Sequence, residues 1–434
     1  MRNFASMKVA IIGGGAAGFF LAIQVKTACP EAEVCIFERQ RKVLAKVEIS
    51  GGGRCNCTNS FTEVTDLTQV YPRGARLLKR LFRQFDHHDM MGWLEAHGVP
   101  LVVQEDQCVF PKAQDSHAII DCFLRECRRL GIKIRTGVDG FAEVFGNEEG
   151  GERNGQESGC AYDVVAITTG GMKGSSLPGW MCKRLKIETP LPSLFTFKIN
   201  DPQLCALMGT VVEGATASIP GTKWRATGPL LVTHWGMSGP AILKLSSHAA
   251  RHLAEQGYQS PLSINWTGEG NSDMVRQELQ LLARENAQRQ VQSVRPFGLQ
   301  RRLWEYLTGK LSLHAEARWA DLGKKNMNRL VELLTNDTYA IAGRGMNKEE
   351  FVTCGGVALS CLDSNTLELK VPGTGNEEGG IGERPRIFMA GEVLDIDGVT
   401  GGFNFQAAWS TAYAAAQGIA LALRAEQGGK RLNV

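Results

Sequence analysis

"MKVAIIGGGAAGFFLAIQVKT", residues 7–27, decides the fold. Val9 to Ile12 form an apolar run too short for a helix and suited to a strand buried on both faces. Gly13, Gly15 and Gly18 follow with G-x-G-x-x-G spacing, and Phe19, Leu21, Ala22 and Val25 then keep helical periodicity. Such glycines permit a tight turn, the approach of a pyrophosphate to bare backbone, and close packing of helix on strand. A second apolar run, "EVCIFE", ends at Glu38, twenty residues beyond Gly18. An acid there is placed to accept hydrogen bonds from a ribose diol and disfavours a 2′-phosphate. Strand, glycine turn, helix, strand and terminal acid in this order predict a Rossmann-like α/β fold that binds FAD or NAD rather than NADP.

Bulk properties set the frame around that unit. A chain of 434 residues predicts two or three domains. The net charge of +3 neither demands nor excludes an anionic partner. Fifty glycines exceed the average of roughly 7% and cluster, which suggests backbone-lined sites. No apolar stretch approaches the roughly 20 residues of a membrane helix, and the start of the chain lacks the apolar core of a secretory signal. Twelve scattered cysteines, several inside apolar runs such as "EVCIF" and "IIDCFL", read as reduced, buried thiols of a cytoplasmic protein.

The far end of the chain bears on which dinucleotide is bound. "RPRIFMAGEVLDIDGVTGGFNFQAAWSTAYAAAQGIAL" holds a short strand, an acidic loop, a double glycine and a helix beginning near Asn404. A second helix N-terminus returning to a dinucleotide site stabilises negative charge on a reduced flavin, and Glu392 or Asp395 is placed for the ribityl hydroxyls. Together "GGGAAG", "SGGGRCNCTN", "THWGMSGPAIL", "TCGGV" and "AGEVLDIDGVTGGFNFQ" resemble the BaiN-like flavoproteins, also called the aminoacetone-oxidase family. The motifs run from Gly13 to Gln406. The resemblance implies a glutathione-reductase-type FAD fold with an inserted domain and non-covalent FAD. It leaves the substrate open.

The resemblance also explains "ISGGGRCNCTNS", residues 49–60. In the family this loop passes the flavin, so Gly51, Gly52, Gly53, Arg54, Cys55 and Asn56 are cofactor candidates, while Cys57 holds a variable position. A metal needs about four ligands, and no second Cys or His pair lies nearby, so no metal is expected. The Cys-x4-Cys of disulfide reductases is absent. Further cofactor candidates are Ala16 and Ala17 within the glycine turn, Arg39, Lys46, Val138 just past a predicted strand, Thr169, Gly170 and Gly171 in an "ATGG"-like turn, and Gly391, Gly401, Gly402 and Asn404. After that turn this chain has "MKGSSLPGWMCKRLK" where the family carries a Gly- and Pro-rich segment.

Three segments are expected: residues 1–192 and 341–434 build the FAD-binding domain, and 193–340 form an inserted substrate or cap domain, β-rich and then helical. In the insertion, "THWGMSGP" joins an imidazole, a hydroxyl and a flexible glycine pair, which makes His234 the candidate proton donor. "RGARLLKRLFRQF" reads as an amphipathic helix with Leu77, Leu78, Leu81, Phe82 and Phe85 on one face and Arg73, Arg76, Lys79, Arg80 and Arg83 on the other. A solvated face is the simplest account and an RNA contact the sharper one. Functionally, the leading expectation is an FAD-dependent reductase of activated C=C bonds acting on a small molecule or RNA uridine. Because no second G-x-G-x-x-G occurs, NAD(P)H is expected as a transient reductant or another donor serves. The alternatives are an oxidase of a small amine such as aminoacetone and a flavin-bound scaffold. Oligomeric state is not readable.

Overall fold

The computed structural model describes residues 7–146, 160–172, 177–311, 313–314, 316–345, 352–370 and 385–432. The stretch that departs from the family pattern after Gly171 lies, at residues 173–176, outside the described residues. The chain divides into two compact units, Met1–Pro190 with Thr353–Val434, and Leu191–Val352.

The strands before the insertion are β1 (Lys8–Ile12), β2 (Glu33–Glu38), β3 (Thr58–Asn59), β4 (Leu101–Val103), β5 (Cys108–Pro111), β6 (Lys133–Thr136), β7 (Val164–Ile167) and β8 (Ile187–Ser193). Those of the insertion are β9 (Phe197–Ile199), β10 (Val211–Ser218), β11 (Arg225–Thr233), β12 (Gly236–Ser238), β13 (Ser260–Asn265) and β14 (Asp337–Arg344), and β15 (Val352–Val357) and β16 (Arg386–Met389) follow.

In the first unit a parallel sheet runs β16-β7-β1-β2-β6. Val9 pairs with Val34 on one side and Val164 on the other, so β1 is central, and four of its five residues are buried. The chain winds from β1 to β2 on one side and later returns to β7 and β16 on the other. That reversal opens a crevice at the carboxyl ends of the strands, where an open α/β sheet binds its ligand. Gly13, Glu38 and Thr168 stand at those ends. The helix Ala16–Ala28 follows β1, and the alanine-rich helix Phe403–Leu432 packs along it. A small antiparallel sheet β3-β5-β4 and the pair β15-β8 complete the unit.

The second unit has its own core. β10-β11-β12-β9-β14-β13 close into an antiparallel barrel, and the helices Ser272–Glu285, Arg301–Gly309 and Gly323–Thr335 follow β13. Closure leaves the barrel no free edge. Its helices bury Leu279, Leu303, Trp304 and Leu330 in a cluster with barrel residues such as Phe197, Leu262 and Ile264. The helices stand between β13 and β14, so the last barrel strand comes after them. The return expected at 341 comes later, because Ile341 pairs with both Ser260 and Ile199 inside the barrel.

In the first unit, the loop before the C-terminal helix is fastened to residues far back in the chain. Thr58 Oγ1 donates to Gln406 Oε1 at 2.7 Å across 348 positions. Trp409 Nε1 donates to Cys57 O at 2.8 Å, Asn59 Nδ2 to Gly401 O at 3.0 Å, and the Tyr71 hydroxyl to Phe403 O at 2.9 Å. Arg73 bridges Asp397 with two N–H groups, its side chain 10% exposed and that of Asp397 fully buried. This corrects the reading of Arg73 as part of a solvated basic face. The helix spans Ala75–Leu81 only, and Arg73 precedes it.

Removing one partner of a buried pair leaves the other charge uncompensated. Asp397→Ala is therefore expected to lower the unfolding free energy by about 3–5 kcal/mol in urea denaturation. Replacing both partners with apolar residues should recover much of that loss. A loss under about 1 kcal/mol would class the pair with surface bridges.

Candidate flavin site

The three motif glycines do different work. Gly13 has φ +117°, and a Cβ there would lie 2.3 Å from Thr168 O. At Gly18 it would lie 2.0 Å from Gly13 O and 2.7 Å from Thr168 Oγ1. These two glycines let the turn and first helix lie against the end of β7. Thr168 Oγ1 also donates to Gly13 O at 2.9 Å. Gly15 is the helix N-cap, with ordinary extended backbone (φ −90°), and an added Cβ there meets nothing within 4 Å. The start of a helix offers free N–H groups and a positive dipole end, which suits a pyrophosphate. Ala16 and Ala17 form the first turn.

Glu38, at the end of β2, accepts Gly14 N–H at 2.7 Å on one oxygen and Gln40 N–H at 2.8 Å on the other. Each carboxylate oxygen keeps further lone-pair capacity for a ribose hydroxyl. Val138 N–H donates to Glu38 O at 3.2 Å, which brings the expected adenine position beside this acid. Arg39 is exposed at the turn beyond it.

Lys46 and Glu392, two expected cofactor contacts, form an ion pair with each other. Glu392 Oε1 also accepts Thr353 N–H at 3.0 Å. A Cβ on Gly171 would stand 2.9 Å from that same oxygen, whereas one on Gly170 would meet only Glu392, at 3.9 Å. Glu392 therefore draws together the turn after β7, β15 and the helix start at Ala45. Gly391, with φ +80°, sits where a Cβ would touch Ala17 at 2.9 Å. Asp395 is turned to β15, where it accepts Gly355 N–H at 3.2 Å.

The glycine run is backbone presented without side chains. Gly51, Gly52 and Gly53 have φ of +57°, +69° and +85°, and added Cβ atoms at the last two meet nothing within 4 Å. Arg54 is held by Gly51 O, by Gln114 at 3.1 Å and over the Phe110 ring at 4.3 Å. The Asn56 amide donates to Thr58 O at 2.9 Å and accepts Gly402 N–H at 3.2 Å, so the two glycine loops meet here. Asn404 uses its amide on Gly398, accepting its N–H and donating to its O, each at 2.8 Å. Its side chain closes its own loop.

Cys55 and Cys57 are fully buried. Burial pushes the Cys55 thiol up to about 12 and that of Cys57 well above its ordinary value. The Cys57 thiol donates to Val109 O at 3.3 Å.

His234 lies in the second unit, exposed at the turn between β11 and β12, its ring 4.1 Å from that of Trp235. Trp235 is anchored by its N–H to Thr196 Oγ1 at 3.2 Å. The glycines beside it are not hinges. A Cβ on Gly236 would stand 2.3 Å from Phe197 O, and one on Gly239 would stand 2.7 Å from Pro229 O. Both are packing glycines. Of the basic helix, Arg80 is tied to Ser364 at 2.7 Å, while Arg76, Lys79 and Arg83 are exposed.

The sequence reading missed Asp397, Gln406 and Trp409. Only Asp397 carried a signal, as the third acid of "GEVLDID". The residues present fit a dinucleotide flavin. Gly15 leaves room at a helix N-terminus, Glu38 keeps acceptor capacity, and the Thr169 hydroxyl is buried without a hydrogen-bond partner among the described residues.

This geometry separates folding from cofactor binding. Gly15→Val should fold, since its backbone and surroundings accept a side chain, yet purify without FAD because the valine fills the pyrophosphate approach. Gly18→Val should fail to fold, because its Cβ meets backbone. Flavin absorbance per protein, with circular dichroism, checks both. A yellow Gly15→Val protein would refute the placement.

The chain is similar to known proteins over nearly its whole length. Residues 7–418 match the HI0933-like protein Rossmann domain. The ribosomal RNA dihydrouridine synthase of Escherichia coli (strain K12) is 29% identical over 424 residues, covering 94% of this chain and 96% of that protein. The 3-dehydro-bile acid delta(4,6)-reductase of Clostridium scindens is 25% identical, covering 95% of this chain and 99% of that protein. The ribosomal RNA dihydrouridine synthase of Haemophilus influenzae is 26% identical, with 94% and 97% covered. No described helix is long and apolar enough to cross a membrane. With a Rossmann sheet, a glycine turn open at Gly15 and a family match over nearly its whole length, the chain belongs to the HI0933-like family and is an FAD-dependent oxidoreductase.

Proposed function

We propose that this chain reduces a carbon–carbon double bond conjugated to a carbonyl, with NADH or NADPH as a transient electron source. The observation that carries this reading is the state of Cys55 and Cys57. A dithiol relay needs an accessible thiolate. Both thiols are fully buried, with Cys55 raised to about 12, so they are protonated and out of reach near neutral pH. The chain therefore offers no thiol relay at this loop, and the acceptor has to meet the cofactor directly. FAD, when bound, supplies the hydride donor.

The names of the relatives support the direction of the chemistry, since a delta(4,6)-reductase and a dihydrouridine synthase both saturate C=C bonds. Uridine is one acceptor of the proposed class. Helix N-termini at Gly15 and near Phe403 place N–H groups and positive dipole ends toward negative charge. Glu38 holds a ribose, and Glu392 with Lys46 fixes the loop between them. Reduction also needs a proton at the carbon next to the hydride acceptor. His234 supplies it from the β11–β12 turn, where its ring is exposed beside an anchored tryptophan. The second unit chooses the substrate, because surface loops on a rigid scaffold are where selectivity arises.

Anaerobic stopped-flow absorbance tests the reading. NADH or NADPH should bleach the flavin band, and a conjugated ketone or uridine should restore it faster than air. Rapid restoration by air with peroxide release would instead favour an oxidase of small amines, and no bleaching with any donor would favour a scaffold. His234→Ala should keep FAD content and bleaching rate while slowing acceptor reduction by ~10²–10⁴-fold. Unchanged turnover would return His234 to a structural role. The Cys55→Ser/Cys57→Ser variant should keep its flavin and turn over at a rate near that of the parent. Loss of turnover by orders of magnitude with flavin still bound would restore the thiols to the mechanism.

A further inference from the structure

The helical half of the second unit carries a basic surface that the flavin chemistry does not use. Residues 271–337 hold eleven Lys and Arg against eight Asp and Glu, a surplus equal to the +3 of the whole chain. Between the helices Ser272–Glu285 and Gly323–Thr335 lies an open groove of about 620 Å³. Arg276, Gln280, Trp319, Lys324, Met327 and Asn328 line it. Arg276 donates to the neutral Asn328 amide, and its nearest acid, the exposed Asp273, is 3.9 Å away. Lys324, Lys325 and Arg329 are exposed and have no ion-pair partner among the described residues. The Trp319 indole N–H, in a ring 2% exposed, has no hydrogen-bond partner among the described residues.

We infer that this groove and its lysine-rich rim bind the phosphate backbone of an RNA strand. Three cations on one helix, without ion-pair partners among the described residues, give the sequence-independent attraction on which nucleic-acid binding rests. The amides of Gln280 and Asn328 add donors and acceptors for sugar and base edges, which fix register rather than charge. An acidic peptide uses the cations but not the amides. A membrane surface requires cations and apolar side chains on a joint face. Here the exposed apolar residues of the first helix, Met274 and Leu281, lie roughly 150° around it from Arg276. The inference rests on the proposed C=C reduction only in taking uridine as an acceptor.

The test uses the FAD-loaded full chain and a fluorescently labelled RNA hairpin with a uridine-containing loop, titrated at several salt concentrations. The parent should bind with a strongly salt-dependent affinity. Lys324→Gln/Lys325→Gln/Arg329→Gln should weaken binding at least about tenfold and lower the log–log salt slope by about 2, at roughly 0.7 per lost phosphate contact. FAD content and bleaching by NADH should be unchanged, and each single variant should lower the slope by about a third as much. Arg76→Gln/Lys79→Gln, on the other basic helix, should leave hairpin binding as it was. The inference is overturned if the parent ignores the hairpin, if it prefers polyglutamate or phosphatidylserine vesicles, or if the Arg76/Lys79 variant and not the triple variant loses binding. A parent that reduces a conjugated ketone without binding the hairpin would remove the RNA surface and leave the reductase reading standing. One that binds the hairpin yet reduces no double bond would do the reverse.

Discussion

Thr58 O lies so near Gly402 that a Cβ there would be 2.2 Å away, and this close approach organises the first unit. It requires a bare, left-handed backbone at φ +87°, which only glycine adopts at little cost. Around it Asn56, Asn59 and Thr58 bond to Gly402, Gly401 and Gln406. These residues stand more than 300 positions apart in the chain, yet they form one loop cluster. The C-terminal helix starts where it does because this cluster holds its first turn. Without it the glycine run at 51–53 and the return loop would be separate surface loops, and no cofactor could span them.

The same logic divides the glycines. Those at 13 and 18 serve the fold, since added carbons would strike the end of β7 or the turn itself. Gly15, Gly52 and Gly53 leave space that the polypeptide does not use. Only Gly15, with extended backbone at a helix N-terminus, could take a side chain without strain, whereas Gly52 and Gly53 have open space but left-handed φ of +69° and +85°. Glu392 extends the pattern across the crevice, since its ion pair with Lys46 and its bond to Thr353 tie together three stretches of chain.

What could be read from the sequence was local. The G-x-G-x-x-G turn, the acid at Glu38 and the strand ending at Thr168 declare themselves within short windows, because strand burial, turn sterics and helix periodicity act between neighbours. Pairings across the insertion were not legible. Arg73 looked like one more cation on an amphipathic helix, and nothing near it in the chain announces Asp397. Lys46 and Glu392 were each expected at the cofactor and are partnered with each other. Asn404 was expected at the cofactor, and its amide is bonded to Gly398. Barrel closure is likewise a long-range property. The alternation in β14 does not say that Ile341 pairs with both β13 and β9, which is why the return to the sheet was placed too early.

In the proposed reaction electrons pass from the flavin to the acceptor without a thiol relay, and a reductive titration under anaerobic conditions tests this most directly. Dithionite added stepwise to the FAD-loaded protein should bleach the flavin band completely with one pair of electrons per flavin, and free-thiol counts on the unfolded protein should be the same before and after. Uptake of a second pair per flavin, accompanied by new free thiols at Cys55 and Cys57, would contradict it.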